Sequence, residues 1–282
     1  MAISIRTLSE ADLESADAIL RSAFQRSESW FGDLRLFRQL QPAGVFLASR
    51  NGIPAGMVTT IIYSNYAYVG LMGVHQDFQG QGIGLALMEH LLAWLDRKGI
   101  HQVKLDASPY GQPLYEKLGF VPFDEVYVLQ RQTGQPTYQP STEVQILSSR
   151  NLDWITATDI RAFGADRSRL LRALLDSYPE RAFVVCGEQG QVLGYLFAQA
   201  KRIGPWIMNE AGDAKYLLLT ALSLPFDSAV SVTTPANNTG AISLLQRYGF
   251  KIIRGNRHMA YGSYEMIGQR EKVYGQTSLS LG

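Results

Sequence analysis

Apolar residues along this chain follow two alternating rhythms. Short blocks rich in β-branched and aromatic residues predict strands at 3–7 ("ISIRT"), 45–50 ("VFLASR"), 55–63 ("AGMVTTIIY") and 66–74 ("YAYVGLMGV"). Blocks with a helical period predict helices within 10–40, over about 84–98 and at 113–118, with further strands at 102–107 and around 125–131. The strands 45–50 and 55–63 read as a hairpin. Helix 84–98 is apolar on most faces through Leu85, Leu87, Met88, Leu91, Leu92, Trp94 and Leu95, so burial against a sheet is expected. Strands that pair locally and then accept helices give a mixed α/β (α+β) class.

The whole pattern occurs twice. "LYEKLGF" (114–120) returns as "LLQRYGF" (244–250), an offset of 130 residues from 114 to 244. "GVFLASRNGIPAGMVTT" (44–60) resembles "RAFVVCGEQGQVLGYLF" (181–197), both read as strand, glycine turn, strand. Each copy opens on a short strand and a polar-capped helix. Between them "RQTGQPTYQPSTE" (131–143) has the proline- and glycine-bearing, weakly apolar composition of a linker. The expected organisation is a first domain over 1–132, a linker over 133–143 and a homologous second domain over 144–282.

Composition narrows the partners. Hydrophobic residues make up 46% and charged residues 18%, enough for packed cores. A formal net charge of +1 gives no global basic field for a nucleic-acid backbone. Cys186 is the one cysteine, which excludes an intrachain disulfide and a cysteine-based zinc site, and it reads as a small strand residue. No metal-ligand spacing links His75, His90, His101 and His258. The start lacks a basic segment followed by an apolar one, and no apolar run is long enough to span a bilayer. The expectation is a cytoplasmic protein without membrane or nucleic-acid partners.

The chemistry-bearing stretch is "HQDFQGQGIGLALMEHLL" (75–92), where Gly80, Gly82 and Gly84 alternate just before the long apolar helix. Free N–H groups at a helix start attract anions, and glycines let a ligand approach the backbone. Such a turn can cradle a pyrophosphate, or serve only to turn a strand into a helix. A Walker loop is excluded because Leu85 and Ala86 follow Gly84 where Lys and Ser/Thr would stand. A dinucleotide fingerprint is excluded because Leu85 stands at its third glycine position.

This segment resembles the acyl-CoA-binding motif of the GCN5-related N-acetyltransferase (GNAT) family, Q/R-x-x-G-x-G/A, with Gln79, Gly82 and Gly84 at the matching positions. A second family feature follows in order: strand, then a short helix bearing a tyrosine and ending in Gly-Phe, here "VKLDASPYGQPLYEKLGF" (103–120) with Tyr115 at the tyrosine position. The resemblance covers the first half, and the tandem layout resembles a two-domain GNAT group whose second domain is degenerate. It implies two tandem domains, each a central, mostly antiparallel, twisted sheet flanked by helices. It implies that acetyl-CoA is held by Gln79, Gly80, Gln81, Gly82, Ile83 and Gly84, by the main chain of Met72 and Val74, with Gly73 leaving room for the pantetheine arm, and by Ser108.

Amide formation from a thioester requires a deprotonated amine, a donor for the oxyanion and protonation of the leaving thiolate. Tyr115, just after Pro113 in the first turn of its helix, fits the last role, with a core aromatic as the alternative. A backbone N–H at 73 or 74 is the expected oxyanion donor. Many family members carry a carboxylate base on or beside the pantetheine-binding strand, whereas "YSNYAYVGLMGV" has none. Glu28, Asp33, Asp106, Asp124, His75 or a water chain remain open as bases. Glu28, Trp30, Phe31 and Asp33 are expected to help build the acceptor site, or else to form an ordinary amphipathic helix pair.

The second half lacks this equipment. Leu245 stands at the tyrosine position, and "GPWIMNEAGDAKYLLLTAL" (204–222) carries no Q/R-x-x-G-x-G. Asn238 and Ala241 keep the N-x-x-A spacing of the family helix. The second half is expected to retain the fold without the cofactor and to shape the acceptor pocket, with Trp206, Met208 and Asn209 as candidate contacts. The expected activity is acetyl transfer from acetyl-CoA to a primary amine of a small molecule or amino acid, in a ternary complex and without metal. A peptide or protein amine, or a non-catalytic acyl-CoA sensor, are the alternatives.

Overall fold

The computed structural model describes residues 2–134, 137–226, 228–262 and 268–282. The first half contributes β1 (Ile3–Thr7), α1 (Leu13–Phe24), α2 (Phe31–Leu40), β2 (Val45–Arg50), β3 (Ile53–Tyr63), β4 (Tyr66–Val74), α3 (Ile83–Asp96), β5 (Gln102–Ala107), α4 (Gln112–Lys117) and β6 (Val121–Arg131). The second half contributes β7 (Val144–Ile146), α5 (Asp153–Phe163), α6 (Ser168–Ser177), β8 (Ala182–Cys186), β9 (Val192–Ala198), β10 (Ile203–Met208), α7 (Ala214–Leu222), β11 (Val230–Pro235), α8 (Thr239–Arg247), β12 (Lys251–Tyr261) and β13 (Val273–Gly275).

Local chemistry sets the boundaries. Ser9 and Asp12 cap the entrance to α1 reciprocally, and Asp12 also accepts a two-pronged bond from Arg6 at 2.6 and 2.7 Å. The β2–β3 hairpin turns on Asn51 and Gly52, both at positive φ. α4 starts with proline in its first turn, and its chain then turns through Gly119 at φ 91°.

Sheet topology departs from two independently closed units. One sheet runs β1-β2-β3-β4-β5-β12-β6-β11 and the other β13-β10-β9-β8-β7. β12, from the second half, lies between β5 and β6 of the first, with Arg257 to Tyr261 in register with Ala107 to Val103. β6 in return lies between β12 and β11. Through β12 the second half thus repeats the element order of the first, but the two halves exchange strands. The larger sheet takes β11 and β12 from the second half, whereas the smaller sheet holds second-half strands alone, and β6 finds both its backbone partners in second-half strands.

The cores follow the same logic. One face of the larger sheet packs on α3, with Val58, Val69, Leu87, Leu91, Leu105 and Met259 together. Its other face shares a single core with the second half, where Leu20, Phe37, Met57 and Tyr68 join Ile155, Leu171 and Phe197. A third cluster around Trp206, Leu217 and Phe250 belongs to the second half, with Leu129 of β6 inserted into it.

Candidate active site

β4 and β5 are parallel neighbours only over Tyr66–Tyr68 and Gln102–Lys104. Beyond Tyr68 they part, which opens one edge of β4 along residues 69–74. A bulge marks the departure: Val58 pairs with Met72 and Thr60 with Val69, so β4 carries an extra residue around Gly70. Thr59 Oγ1 accepts from the Leu71 N–H at 2.8 Å, and Thr60 Oγ1 donates to the Tyr68 carbonyl at 3.0 Å. Gly70 is required there, because a Cβ would lie 2.4 Å from both the Phe37 ring and Thr59 Oγ1. The irregularity thus lies at Gly70, three residues before the Gly73 expected to leave room for the pantetheine arm. Gly73 faces α1 instead, where a Cβ would meet Ala23 at 3.0 Å and Leu20 at 3.2 Å.

The glycine loop lies at the end of β4. Gly80 and Gly82 take φ values of 71° and 80°, left-handed conformations that favour glycine, and a Cβ on either would meet nothing. Gly84 serves packing, since a Cβ would come within 3.0 Å of Met72 Cε and 3.4 Å of Leu114 Cδ2. The N-terminus of α3 has no side-chain cap and no acidic residue in its first turn, which leaves its amides and dipole open to an anion. Gly80, Gln81 and Gly82 are exposed, whereas Ile83 turns into the core. Gln79 bridges the site: its Nε2 donates to the Val74 carbonyl at 3.1 Å, and its Oε1 accepts from the Tyr110 hydroxyl at 3.1 Å. Arg50 reaches the Gln81 carbonyl at 3.5 Å, a cation beside the loop that no local motif announced. Ser108 Oγ accepts from the Gly111 N–H at 3.1 Å and so shapes the start of α4. The loop, the freed β4 edge and the unopposed helix dipole suit a pyrophosphate-bearing thioester such as acetyl-CoA.

Tyr115 is 8% exposed and lies on the α3 side of the sheet, in one cluster with Val69, Leu105 and Ala107. Its ring meets Phe120 edge-on, with centroids 5.8 Å apart. Burial pushes its phenol up to about 12. It is therefore neutral at physiological pH, the form a proton donor needs.

The opposite face of the same slot holds a buried polar cluster. Asp106 of β5 lies beside His258 of β12, with Oδ1 2.6 Å from Nδ1; their side chains are 0% and 4% exposed. Asp106 Oδ2 accepts from the Tyr68 hydroxyl at 2.7 Å and from Gln276 Nε2 at 3.1 Å. Burial, with help from Arg270, lowers the His258 pKa against the opposing pull of Asp106, so the imidazole is neutral near pH 7. Burial pushes the Tyr68 phenol well up. His258, Tyr68, Lys104, Arg270 and Gln276 line a cavity of about 80 Å³ between the two halves. A wider hollow of about 610 Å³ lies at the far end of α3 from the loop, around Asp96 and His101.

Of the carboxylates left open as bases, Asp106 is the one in this cluster. Asp124 accepts from Arg270 Nε at 2.7 Å, and Asp33 pairs with Arg202 of the second half at 3.3 Å. Glu28 is exposed, and His75 sits on the surface beside Asp77. Trp30 and Phe31 pack against the shared core, with the Trp30 and Phe24 ring centroids 5.2 Å apart. None of Glu28, Trp30, Phe31 and Asp33 lines the cavity beside His258. His258 carried no signal in sequence: its partner is 152 residues away, and only the strand exchange joins them.

In the second half the corresponding slot is filled. β13 pairs with β10 and lies against β11, where the Gln276 N–H donates to the Thr233 carbonyl at 2.7 Å and Thr234 Oγ1 to the Tyr274 carbonyl at 2.7 Å. The start of α7 offers no positive-φ glycine and carries Asp213 at its cap. Asn238 keeps its family spacing because its Oδ1 accepts from the Ala241 N–H at 3.0 Å, while its Nδ2 donates to the Glu271 and Val273 carbonyls. Trp206 and Met208 are buried in the second half's own core. Asn209 donates to the Val192 carbonyl. Among the described residues no cluster of potential metal ligands occurs, and no helix is long and apolar enough to cross a membrane.

Comparison with known proteins agrees with this geometry. Residues 11–120 match the model of the acetyltransferase (GNAT) family and residues 155–275 match an acetyltransferase (GNAT) domain. The chain is 26% identical to the uncharacterized N-acetyltransferase YitH of Bacillus subtilis over 245 residues, covering 84% of this chain and 85% of the relative. Over 122 residues, 42% of this chain and 80% of the relative, it is 32% identical to the ribosomal protein bS18-alanine N-acetyltransferase of Escherichia coli. A crystal structure of a putative acetyltransferase from Pyrococcus horikoshii superposes with a TM-score of 0.87 at 25% identity, covering 99% of this chain and 96% of that one. An intact slot with its glycine loop in the first half and a filled slot in the second, under two family matches, identify the chain as a tandem N-acetyltransferase of the GNAT family.

Proposed function

We propose that the first half transfers an acetyl group from acetyl-CoA to a primary amine of a small molecule or amino acid, by direct attack in a ternary complex, in the cytoplasm. The observation that carries this reading is the parting of β4 from β5 after Tyr68, beside a helix N-terminus left without cap or acidic neighbour. Acetyl-CoA supplies an acetyl group already activated as a thioester. The amides of residues 80–84 hold its pyrophosphate, the dipole of α3 favours that charge, and the free edge around Met72–Val74 receives the arm. Tyr115, neutral and buried at the slot, gives its proton to the departing thiolate.

The resemblance to the E. coli ribosomal-protein acetyltransferase favours a protein amine as the second reading. That relative is matched over only 42% of this chain, however. Here the second half packs over the acceptor face through α5 and the segment 268–276, and narrows it to a small cavity. A small acceptor fits that enclosure better. The test is release of thiol from acetyl-CoA by the purified protein, with and without a panel of small amines and short peptides, and with products identified by mass. Small-amine-dependent release is expected. Acetyl-CoA binding without amine-dependent release would leave a sensor, and release with peptides alone would reassign the acceptor.

A further inference from the structure

The cavity between the halves is lined by four polar side chains, two of which bury an atom without a partner among the described residues. Arg270 spends Nε on Asp124, but its Nη2 is buried without a partner. Lys104 is buried, and its ammonium lies over the Tyr66 ring, 4.3 Å from the centroid, with no carboxylate paired to it. Gln276 donates through Nε2 to Asp106, which fixes its amide orientation and leaves Oε1 buried and unpartnered. His258, which gives Nδ1 to Asp106 and so keeps the lone pair of its neutral ring on Nε2, lines the cavity. Unmet buried polar groups are costly, and two of them beside a buried ammonium and imidazole around one small space call for a ligand of matching polarity.

The polarity is specific. Two cationic donors, Arg270 and Lys104, call for an anion. Two acceptors, Gln276 Oε1 and His258 Nε2, call for an ammonium. The cavity volume of about 80 Å³ admits a small polar headgroup and no folded segment of another protein. We propose that this cavity, built by both halves, is the acceptor site for an amine that carries a nearby carboxylate, an α-amino-acid-like headgroup, with His258 as the base that deprotonates its ammonium. This rests on the acetyl-transfer reading above and names its acceptor class.

The chemistry balances. One proton of the ammonium passes to His258 Nε2, with Asp106 compensating the imidazolium through Nδ1–H, and goes on to solvent. The freed amine nitrogen forms a bond to the acetyl carbon, and the carbon–sulfur bond breaks with its electron pair on sulfur. Tyr115 protonates that sulfur and regains its proton from the acylated nitrogen. Net, the acceptor ammonium and thioester give amide, thiol and one released proton. Tyr115 and the Asp106–His258 pair stand on opposite faces of the same sheet, beside the same slot, so acid and base do not compete for one proton. The charged and titratable groups facing His258 are Asp106, Tyr68, Lys104, Arg270 and Asp124, and of these Asp106 and Tyr68 form one hydrogen-bonded set.

The experiment compares small L-amino acids with their amides, in which the carboxylate is masked, as acceptors at saturating acetyl-CoA, with acetyl-CoA binding measured separately by calorimetry. Amino acids are expected to exceed their amides at least 10-fold in kcat/KM. Lys104→Met should raise KM for the amino acids at least 10-fold, leave kcat within 3-fold, and remove the advantage over the amides. His258→Gln should lower kcat at least 100-fold and abolish the acid limb of the pH profile, with acetyl-CoA affinity unchanged. Amides used as well as amino acids, no turnover of any amino acid with acetyl-CoA bound, or an acid limb retained in His258→Gln would overturn the proposal. Failure to bind acetyl-CoA at all would instead remove the acetyl-transfer reading beneath it. Should His258→Gln fail to fold, Lys104→Met and the amide comparison still decide.

Discussion

Replacing Tyr115 by Phe separates chemistry from packing. The ring meets Phe120 with centroids 5.8 Å apart, and its Cε2 would lie 3.2 Å from a Cβ on Gly111, so the aromatic body fills its place closely. Phenylalanine preserves that body and removes only the hydroxyl. Burial is the one cause that raises the phenol, and no hydrogen bond contributes. Loss of the oxygen should therefore change stability by no more than about 0.5 kcal/mol, as for a change that breaks no contact. Its catalytic cost is of another order. General acid catalysis contributes roughly 10²- to 10⁴-fold, about 3–5 kcal/mol of barrier. The assay is steady-state thiol release with the best acceptor, alongside thermal unfolding and acetyl-CoA calorimetry. Tyr115→Phe should lose at least 100-fold in kcat with melting temperature and cofactor affinity unchanged. The phenol of the native protein, pushed up to about 12, should give no alkaline decline up to about pH 10. A kcat within 3-fold of the native value would refute the acid role. A parallel loss of stability would show that the hydroxyl serves the core.

Three further outcomes follow from the same geometry. Gly82→Ala puts a side chain at φ 80°, with a left-handed penalty of about 1–2 kcal/mol in the loop that receives the pyrophosphate, so calorimetry should show acetyl-CoA binding weakened about 10-fold. Burial holds His258 below its ordinary pKa, so between that lowered value and about 6.5 the unfolded chain binds more protons than the native one. Its contribution to stability is thus present above about pH 6.5 and lost progressively as pH falls below it, and His258→Gln should flatten the fall in melting temperature below about pH 6.5. A fragment of residues 1–132 lacks β12 and should show no cooperative thermal transition by circular dichroism, whereas the full chain should unfold as one unit.

What was legible in the sequence was what is local. The strands at 3–7, 45–50, 66–74 and 102–107 are observed at those bounds, because alternation and flanking turn residues act within a few positions. The glycine loop was legible for the same reason: positive φ at Gly80 and Gly82 and an uncapped helix start are properties of one short segment. Gly73 illustrates the limit. A glycine in a strand signals close approach, but only the fold shows that α1 approaches there and that the bulge needs Gly70. The exchange of β6 and β12 was not legible, since the alternation of a strand does not say which half will pair with it. His258 was hidden with it. A histidine next to Met259 and Ala260 reads as an ordinary strand residue until the exchange sets it in register with Asp106. The filling of the second slot by β13 escaped in the same way, as a three-residue strand too short to carry a pattern.

Calorimetric titration of the full chain with acetyl-CoA tests most directly whether the first half alone holds the donor. One site per chain is expected, with binding weakened by Gly82→Ala and unaffected by substitutions around Asp213. No binding, or two equivalent sites per chain, would contradict an open slot between β4 and β5 and a filled one between β10 and β11.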